Sequence, residues 1–192
     1  MIDLHYPVYL ASQSPRRKQL LKLLNIKFKT ISVDLTEEIF DRDHPIKTVK
    51  RLVREKLELA ENKITNGLII TADTIVVLDK RIIVKPKSKK EAKEILGKLS
   101  GRTHFVYTGF AIKNQNNNNI IVDYEKTSVT FNELSKREIA DYVKMGSPMD
   151  KAGAYGIQDF GAVFVKKING CFYNVMGLPL SKVYNSLIKI TK

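Results

Sequence analysis

An eleven-residue apolar segment from Leu68 to Leu78 constrains the fold more than any other part of this 192-residue chain. Isoleucine, valine and threonine dominate it, which predicts a buried β-strand. One charged residue, Asp73, interrupts the run. Because an unpaired buried carboxylate is costly, Asp73 should meet a cation, a set of hydrogen-bond donors or a metal ion. A purely structural ion pair, or exposure at the end of the strand, remains the alternative.

Helical and extended patterns alternate along the rest of the chain. Helices are predicted from Pro15 to about Leu24, from near Pro45, between Ser88 and Gly101, from Ser135 to Gly146, and from Pro179 onward. Further strands are predicted at residues 7–11, 28–33, 81–84, 103–113, 120–131, 162–168 and 172–176. This alternation, without internal repeats, predicts an α/β fold with a mixed sheet flanked by helices.

No linker divides the sequence, so residues 1–192 are predicted to form a single domain. The section from about residue 36 to residue 135 could form one of two lobes around a cleft. The single cysteine, Cys171, excludes an internal disulfide and fits a reducing compartment. No segment is long and apolar enough for a bilayer, and the first ten residues do not resemble an export signal, so a cytoplasmic protein with no membrane association is predicted.

The formal net charge of +13 suits an anionic partner such as nucleic acid, acidic lipid or nucleotide phosphate. The excess lysines are spread over helices and loops, and the sequence has no zinc-finger or RRM signature. A solvated basic surface is therefore favoured over a dedicated polyanion groove.

The first predicted helix begins with an unusual charge pattern, Leu-Ala-Ser-Gln-Ser-Pro-Arg-Arg, which ends at Arg17. Pro15 suits the first helical position and Ser14 suits the N-cap. Arg16 and Arg17 then lie in the first turn, where the helix dipole disfavours positive charge unless an anion is present. Together with the hydroxyls of Ser12 and Ser14, this turn predicts a phosphate site. Two arginines pointing into solvent are the alternative.

Other charged residues follow the predicted strands. The turn after the central strand returns Lys85 to the neighbourhood of Asp73 or Thr74. Glu37 and Glu38 form an acidic pair after the second strand. Since Mg²⁺ typically takes one or two carboxylates plus substrate phosphates, Asp73 and Glu37 could hold it. Solvated side chains are the alternative for Lys85 and for both glutamates.

The segment Asp-Lys-Ala-Gly-Ala-Tyr-Gly-Ile-Gln, ending at Gln158, combines small residues with polar ones. Its small residues permit close backbone approach, and Lys151, Tyr155 and Gln158 could contact a base or a ribose. A tight structural turn is the alternative. The sequence has no P-loop, no GxGxxG motif and no nucleophilic triad.

Taken together, these segments resemble the Maf family of nucleoside triphosphate pyrophosphatases. The matching segments occur in the family's order: Leu-Ala-Ser-Gln-Ser-Pro-Arg-Arg at 10–17, Arg-Glu-Lys at 54–56, Ala-Asp-Thr at 72–74, Lys-Pro at 85–86, Leu-Ser-Gly-Arg-Thr-His at 99–104, Asp-Lys-Ala-Gly-Ala-Tyr-Gly-Ile-Gln at 150–158 and Gly-Leu-Pro-Leu at 177–180. The resemblance implies a mixed α/β fold of the Maf and ITPase kind with a cleft. It also implies dependence on a divalent cation, and hydrolysis between the α- and β-phosphates to a monophosphate and pyrophosphate.

Within the family, Ala-Asp-Thr and Ala-Tyr-Gly-Ile-Gln resemble the branch that acts on dTTP and UTP, rather than the branch that acts on 7-methyl-GTP. The resemblance implies that Asp73 is the catalytic acid or base and that Glu37 and Lys85 are further active-site residues. It places the specificity positions at Arg16, Thr74 and Gln158. This chain departs from the family at Val84, where glycine is usual, and at Ser88, where an acid is usual.

The resulting hypothesis has Mg²⁺ or Mn²⁺ held by Glu37 and Asp73, with Asp73 activating water. The substrate-binding residues are predicted to be Ser12, Ser14, Arg16, Arg17, Lys56, Thr74, Lys151 and Gln158. The expected partner is a nucleoside triphosphate, with no stable nucleic-acid complex and with a homodimer as one candidate assembly. The alternatives are a pyrophosphatase for another modified nucleotide, or a basic nucleic-acid-binding regulator with a vestigial pocket.

Overall fold

Seven strands form one mixed sheet in this computed structural model, which describes residues 4–36, 38–40, 42–146 and 148–192. The strands are β1 (Val8–Ala11), β2 (Lys29–Ile31), β3 (Leu68–Leu78), β4 (Arg81–Ile83), β5 (Thr103–Asn114), β6 (Ile120–Phe131) and β7 (Val165–Asn169). The order across the sheet is β2-β1-β3-β5-β6-β7, with β4 also paired to β3. Strand β1 runs parallel to β2 and to β3, and the other pairs are antiparallel. The predicted mixed α/β architecture is confirmed.

Helices cover both faces of this sheet. They are α1 (Pro15–Lys22), α2 (Pro45–Glu61), α3 (Lys89–Leu99), α4 (Lys136–Lys144), α5 (Phe172–Met176) and α6 (Leu180–Ile190). Ser14, Ser88 and Ser135 accept hydrogen bonds from the first turns of α1, α3 and α4, as their positions in the sequence predicted. At α4 the capping box is complete; at α3 the Glu91 carboxylate instead accepts from the Lys87 amide.

The hydrophobic core lies on the two faces of the central strand. On one face, α2 packs its apolar side against the odd-numbered residues of β3, among them Ile69 and Ile75. On the other face, α1 and α6 cover one half of the sheet and α3 and α4 cover the other half. Alternation along β3 thus separates Asp73, on the α2 face, from Thr74 on the opposite face.

The pairing along one edge of β3 is interrupted. Strand β1 pairs with residues 68–70 and β4 pairs with residues 76–78. Among the described residues, no strand pairs with residues 71–75 on that edge, although β5 pairs with residues 68–77 on the other side. Within this gap Thr74 is partly exposed, and the other four residues are buried.

One part of the predicted secondary structure is wrong. Residues 172–176 form the short helix α5 rather than a strand. The buried Asn174 amide donates to the carbonyl of Val106 at 3.1 Å, and Gly177, at φ +109°, closes the helix through hydrogen bonds of the Schellman kind. These contacts favour a helical turn although the local sequence is rich in β-forming residues.

The preceding predicted strand, residues 162–168, is also shifted. A 3₁₀ turn spans Phe160–Phe164 because the Asp159 carboxylate accepts from the Gly161 amide at 2.9 Å, and β7 follows it. The candidate lobe at 36–135 shares both large core clusters with residues outside that range, and its boundary stays a prediction. No helix in the described part of the chain has the length and apolar character needed to cross a membrane.

Candidate active site

A cavity of about 640 Å³ opens at the gap in the sheet, beyond the carboxyl end of β1. Ten residues predicted from the sequence line it: Ser12, Ser14, Arg16, Arg17, Lys56, Asp73, Thr74, Lys85, Lys151 and Gln158. Glu37, the remaining predicted site residue, lies outside the described residues. The positive side chains of α1 and the carboxylate of β3 therefore face one hollow.

The floor of the cavity holds a buried ion pair. Asp73 is 4% exposed, and one of its carboxylate oxygens accepts a short hydrogen bond from Nζ of Lys56 on α2. Helix α2 approaches the sheet closely at this point because the residue beside Asp73 on β5 is Gly109. The ion pair compensates the burial of the carboxylate, and a cation was among the partners that the sequence predicted for Asp73.

Arg17 forms the wall between α1 and the sheet. Its Nε donates to the carbonyl of Gly177 at 2.9 Å, and its two Nη atoms donate to Ser12 Oγ at 3.4 Å and Thr74 Oγ1 at 3.2 Å. These contacts hold the side chain in place. Its predicted contact with a triphosphate stays a prediction.

Ser12 and Ser14 organise the helix start. The Ser14 hydroxyl accepts from the Arg17 amide at 3.5 Å, and the Ser12 hydroxyl accepts from the Ser14 amide at 3.2 Å. No acidic residue lies in the first turn of α1, so its positive end is not neutralised within the helix. The turn has the charge and the orientation that favour an anion in the cavity.

An ionic cluster lies at the rim, where the loop after α4 meets α1. Nη1 of Arg16 donates to one carboxylate oxygen of Asp150 at 2.7 Å, and Nζ of Lys151 donates to the other at 2.7 Å. Lys151 also lies 3.5 Å from the carboxylate of Asp159. Partial burial raises the pKa of Asp150, but the hydrogen bonds from Lys151 and Arg16 outweigh it and leave the pKa below its usual value.

Lys85 and Gln158 are exposed residues at the cavity mouth. The β3–β4 pairing ends at Val76 and Ile83, and Lys85, two residues beyond Ile83, lines the cavity together with Asp73 and Thr74. Both side chains can reach a ligand from solvent without first breaking a buried contact.

Tyr155 closes the inner wall and is held from behind. Its hydroxyl lies 2.8 Å from Nε2 of His104, which is fully buried on β5. Burial lowers the pKa of His104 to about 4, so the imidazole is neutral near neutral pH. Burial likewise raises the pKa of the Tyr155 hydroxyl. Both groups are therefore neutral hydrogen-bonding partners rather than acid or base catalysts.

The carboxylates of the cavity fit a hard cation that arrives with a substrate. Asp34, Asp73 and Asp150 line it, but no group of three or more acidic, histidine or cysteine residues within the described ranges forms a ready cage. Mg²⁺ commonly binds through one or two carboxylates while the substrate's phosphates supply further oxygens. Asp73 meets that requirement by its place on the floor.

Sequence reasoning missed several residues that shape the cavity. Asp150 is one of these missed residues, although it begins a segment that the sequence singled out. Its two basic partners, Arg16 and Lys151, were both predicted to bind substrate. Thr108 lies opposite Thr74 in the β3–β5 register, but β4 and α3 separate these strands along the chain, so no local pattern indicated the pairing. Nothing in the sequence pointed to Asn174, a fully buried residue whose backbone carbonyl accepts a hydrogen bond from Thr108.

Comparison with known proteins gives a consistent family assignment. A dTTP/UTP pyrophosphatase from Syntrophomonas wolfei subsp. wolfei is 45% identical over 180 residues, which cover 94% of this chain and 95% of that protein. A dTTP/UTP pyrophosphatase from Aquifex aeolicus is 46% identical over 180 residues, covering 94% and 93%. Among solved structures, a HAM1 protein from Coxiella burnetii aligns with a TM-score of 0.46 at 13% identity, covering 96% of this chain and 99% of its own.

The family match spans almost the whole chain. Residues 7–190 match the family described as Maf-like protein, and this range includes every predicted site residue. The resemblance seen in the sequence motifs is therefore confirmed, and the chain belongs to the Maf-like protein family.

Proposed function

We propose that this protein hydrolyses dTTP and UTP to the nucleoside monophosphate and pyrophosphate. The observation that carries the proposal is the buried Asp73–Lys56 pair on the floor of a cavity with a basic rim. The dTTP/UTP pyrophosphatases at 45% and 46% identity support the choice of nucleotide. Modified pyrimidine nucleotides fall within the same proposal.

The triphosphate is held between α1 and the loop after α4. Arg16, Lys85 and Lys151 supply positive charge along the rim, and the N-terminal amides of α1 add hydrogen-bond donors. A phosphate that binds Arg16 competes with the carboxylate of Asp150, so the ion pair at the rim rearranges when substrate enters. Lys85 reaches the tail of the substrate from the opposite side of the mouth.

Asp73 is the general base. Its carboxylate orients a water molecule toward the α-phosphorus and accepts the proton as the new P–O bond forms, while the bond to the bridging oxygen breaks and pyrophosphate departs. Lys56 keeps the carboxylate in position and offsets its charge in the buried floor. A divalent cation, Mg²⁺ or Mn²⁺, held by Asp73 and Glu37, would neutralise the phosphates and help to polarise the reacting phosphorus.

Substitution of the base tests this proposal. Asp73→Asn should lower kcat by roughly two or more orders of magnitude, because the amide cannot accept the proton of the attacking water. Pyrophosphate release from UTP and dTTP is the measurement. Asp141→Asn, which alters an exposed acid on α4, is the matched control and should hydrolyse both nucleotides at the unchanged rate. Near-normal turnover by the Asp73 variant would refute the assignment.

The same proposal covers the cell compartment and the partners. We expect a cytoplasmic enzyme whose partner is the nucleotide, with no stable nucleic-acid complex and with a homodimer as one candidate assembly. Light scattering of the purified protein tests the dimer, and titration with duplex DNA at increasing salt tests nucleic-acid binding. Tight, salt-sensitive DNA binding without pyrophosphate release would favour the regulator that the sequence left as an alternative.

A further inference from the structure

A chain of hydroxyl groups runs from the cavity wall into the core behind Thr74. Nη2 of Arg17 donates to Thr74 Oγ1 at 3.2 Å, and Thr74 Oγ1 lies 2.9 Å from Thr108 Oγ1 on β5. Thr108 Oγ1 in turn lies 2.9 Å from the backbone carbonyl oxygen of Asn174. Thr108 and Asn174 are fully buried, whereas Thr74 is partly exposed and lines the cavity.

The two ends of this chain fix the direction of every proton in it. A carbonyl oxygen can only accept, so the one proton of the Thr108 hydroxyl goes to Asn174. Thr108 must then accept from Thr74, which commits the one proton of Thr74 to the core. At the other end, the guanidinium group of Arg17 contains no atom that can accept a hydrogen bond, so it can only donate one to Thr74.

Thr74 therefore presents a defined polarity to the cavity. Its proton is directed to Thr108, one lone pair accepts from Arg17, and the contacts among the described residues leave the second lone pair for a ligand. A hydroxyl that normally adapts to either kind of partner is here an acceptor only. The ligand atom that meets Thr74 must be a donor.

The surroundings of Thr74 suit a flat apolar ring better than a phosphate. Val76, Val106, Tyr155 and Met176 line the cavity with it. Val76 and Val106 belong to the core cluster on the Thr74 face, whereas Asp73 points to the α2 face. An outward lone pair would also repel a phosphate oxygen. Among the parts of a pyrimidine nucleotide, the base has the matching shape.

We propose that Thr108 is a positioning residue that makes Thr74 accept a hydrogen bond from the N3–H group of a uracil or thymine ring. The inference rests on the proposed function, because it assigns the base of that substrate. Cytosine carries a lone pair at N3 in place of the N–H, so it meets the lone pair of Thr74 and is rejected. Discrimination of uracil and thymine from cytosine thus depends on Thr108, which is buried behind Thr74.

The test compares kcat/KM for UTP and CTP in three variants. Thr108→Val keeps the shape of the side chain but removes the hydroxyl, so Thr74 is free to turn its proton toward the cavity. We expect the UTP-to-CTP ratio to fall by roughly tenfold or more. Thr108→Ser restores the hydroxyl and should restore the ratio. The matched control is Thr103→Val, which breaks an exposed pair of threonine hydroxyls between β5 and β6 and should leave the ratio unchanged.

A purely structural role for Thr108 would lower the rates with both nucleotides and leave their ratio intact, and that outcome would overturn the inference. A second measurement needs only the unaltered protein, in case Thr108→Val does not fold. UTP methylated at N3 should lose roughly tenfold or more in kcat/KM relative to UTP, whereas methylation at C5, which leaves N3–H in place, should be tolerated. Equal rates with UTP and its N3-methyl form would also overturn the inference. Absence of pyrophosphate release from UTP by the unaltered protein would instead refute the proposed function.

Discussion

At the scale of single residues, His104 is a buried polar group whose state depends on pH. It is fully buried, shares a hydrogen bond with Tyr155 and packs edge-on against Phe131. Its other ring nitrogen, Nδ1, has no hydrogen-bond partner among the described residues. The neutral ring is tolerated there, but a second proton would place a charge in the core.

This burial predicts a loss of stability in acid. The pKa of His104 is about 4 in the folded protein and about 6.5 in the unfolded chain, so the unfolded chain binds the proton first as the pH falls. The contribution of the neutral His104 ring to the free energy of unfolding is intact above about pH 6.5 and declines as the pH falls from there to about pH 4. Urea unfolding should give a free energy about 2 kcal/mol lower at about pH 5 than at about pH 7 from this group alone.

His104→Gln isolates that contribution from the titration of the carboxylates. The variant keeps a polar side chain near Tyr155 but cannot take up a proton in this range. Its free energy of unfolding should therefore decline by about 2 kcal/mol less than that of the unaltered protein between about pH 7 and about pH 5. An equal decline in the two proteins would mean that His104 does not titrate in this way.

Single residues also mark the limit of what the sequence could predict. Asp73 stands out because a charge in an apolar strand is visible in the sequence. Its partner Lys56 lies in the Arg-Glu-Lys segment that matches the family. The roles of Thr108 and Asn174 depend on hydrogen bonds between residues far apart in the chain, and threonine and asparagine carry no charge that would draw attention. Their importance follows only from the three-dimensional arrangement.

At the scale of elements, the contact between α2 and the sheet positions the buried ion pair. A Cβ atom on Gly109 would lie 2.7 Å from the carbonyl oxygen of Val49, so the helix can approach this closely only because that residue is glycine. Lys56, two turns further along α2, then reaches Asp73. The close approach of helix and strand thus serves both packing and chemistry.

Substitution of that glycine should move the helix. We expect Gly109→Ala to lower the free energy of unfolding by about 1–3 kcal/mol, since backbone atoms block the added methyl group. It should also lower kcat, because α2 carries Lys56. Gly97→Ala is the matched control: Gly97 lies within α3 with open space around it, and the change should be neutral or stabilise by about 0.5–1 kcal/mol. Urea titrations and UTP hydrolysis provide both readouts, and equal stability of the two variants would contradict this account.

The long elements were predictable and a short one was not. Strand β3 and helix α2 begin where the pattern placed them, because many residues in each agree on one period. Helix α5 has five residues, too few for a period to be read, and its conformation depends on Asn174 and Gly177. Over so short a segment, tertiary contacts outweigh the β-forming tendency of Phe172 and Tyr173.

At the scale of the whole molecule, the net charge of +13 and the basic rim act in the same direction on an anionic substrate. Long-range attraction raises the rate of encounter and is screened by salt over about 10 Å at 0.1 M. The effect should therefore appear in kcat/KM more than in kcat.

Salt should reveal this contribution. Between about 0.05 M and about 0.5 M ionic strength we expect kcat/KM for UTP to fall severalfold while kcat changes little. Arg16→Gln should show a shallower dependence than the unaltered protein, because it removes a charge at the mouth. Lys189→Gln, an exposed change on α6, should keep the original slope. If both variants respond alike, the local charges at the rim do not steer the substrate.

The interruption between β1 and β4 also bears on solubility. An exposed sheet edge is a template on which another polypeptide can pair and begin to aggregate. Here residues 71–75 of β3 are the stretch with which no strand in the described part of the chain pairs on that edge, and a strand already lies against each end of it. An incoming chain would collide with both neighbours before it could extend, yet a molecule about the size of a nucleotide can enter. The same arrangement that admits a small ligand to the middle of the sheet keeps other proteins out.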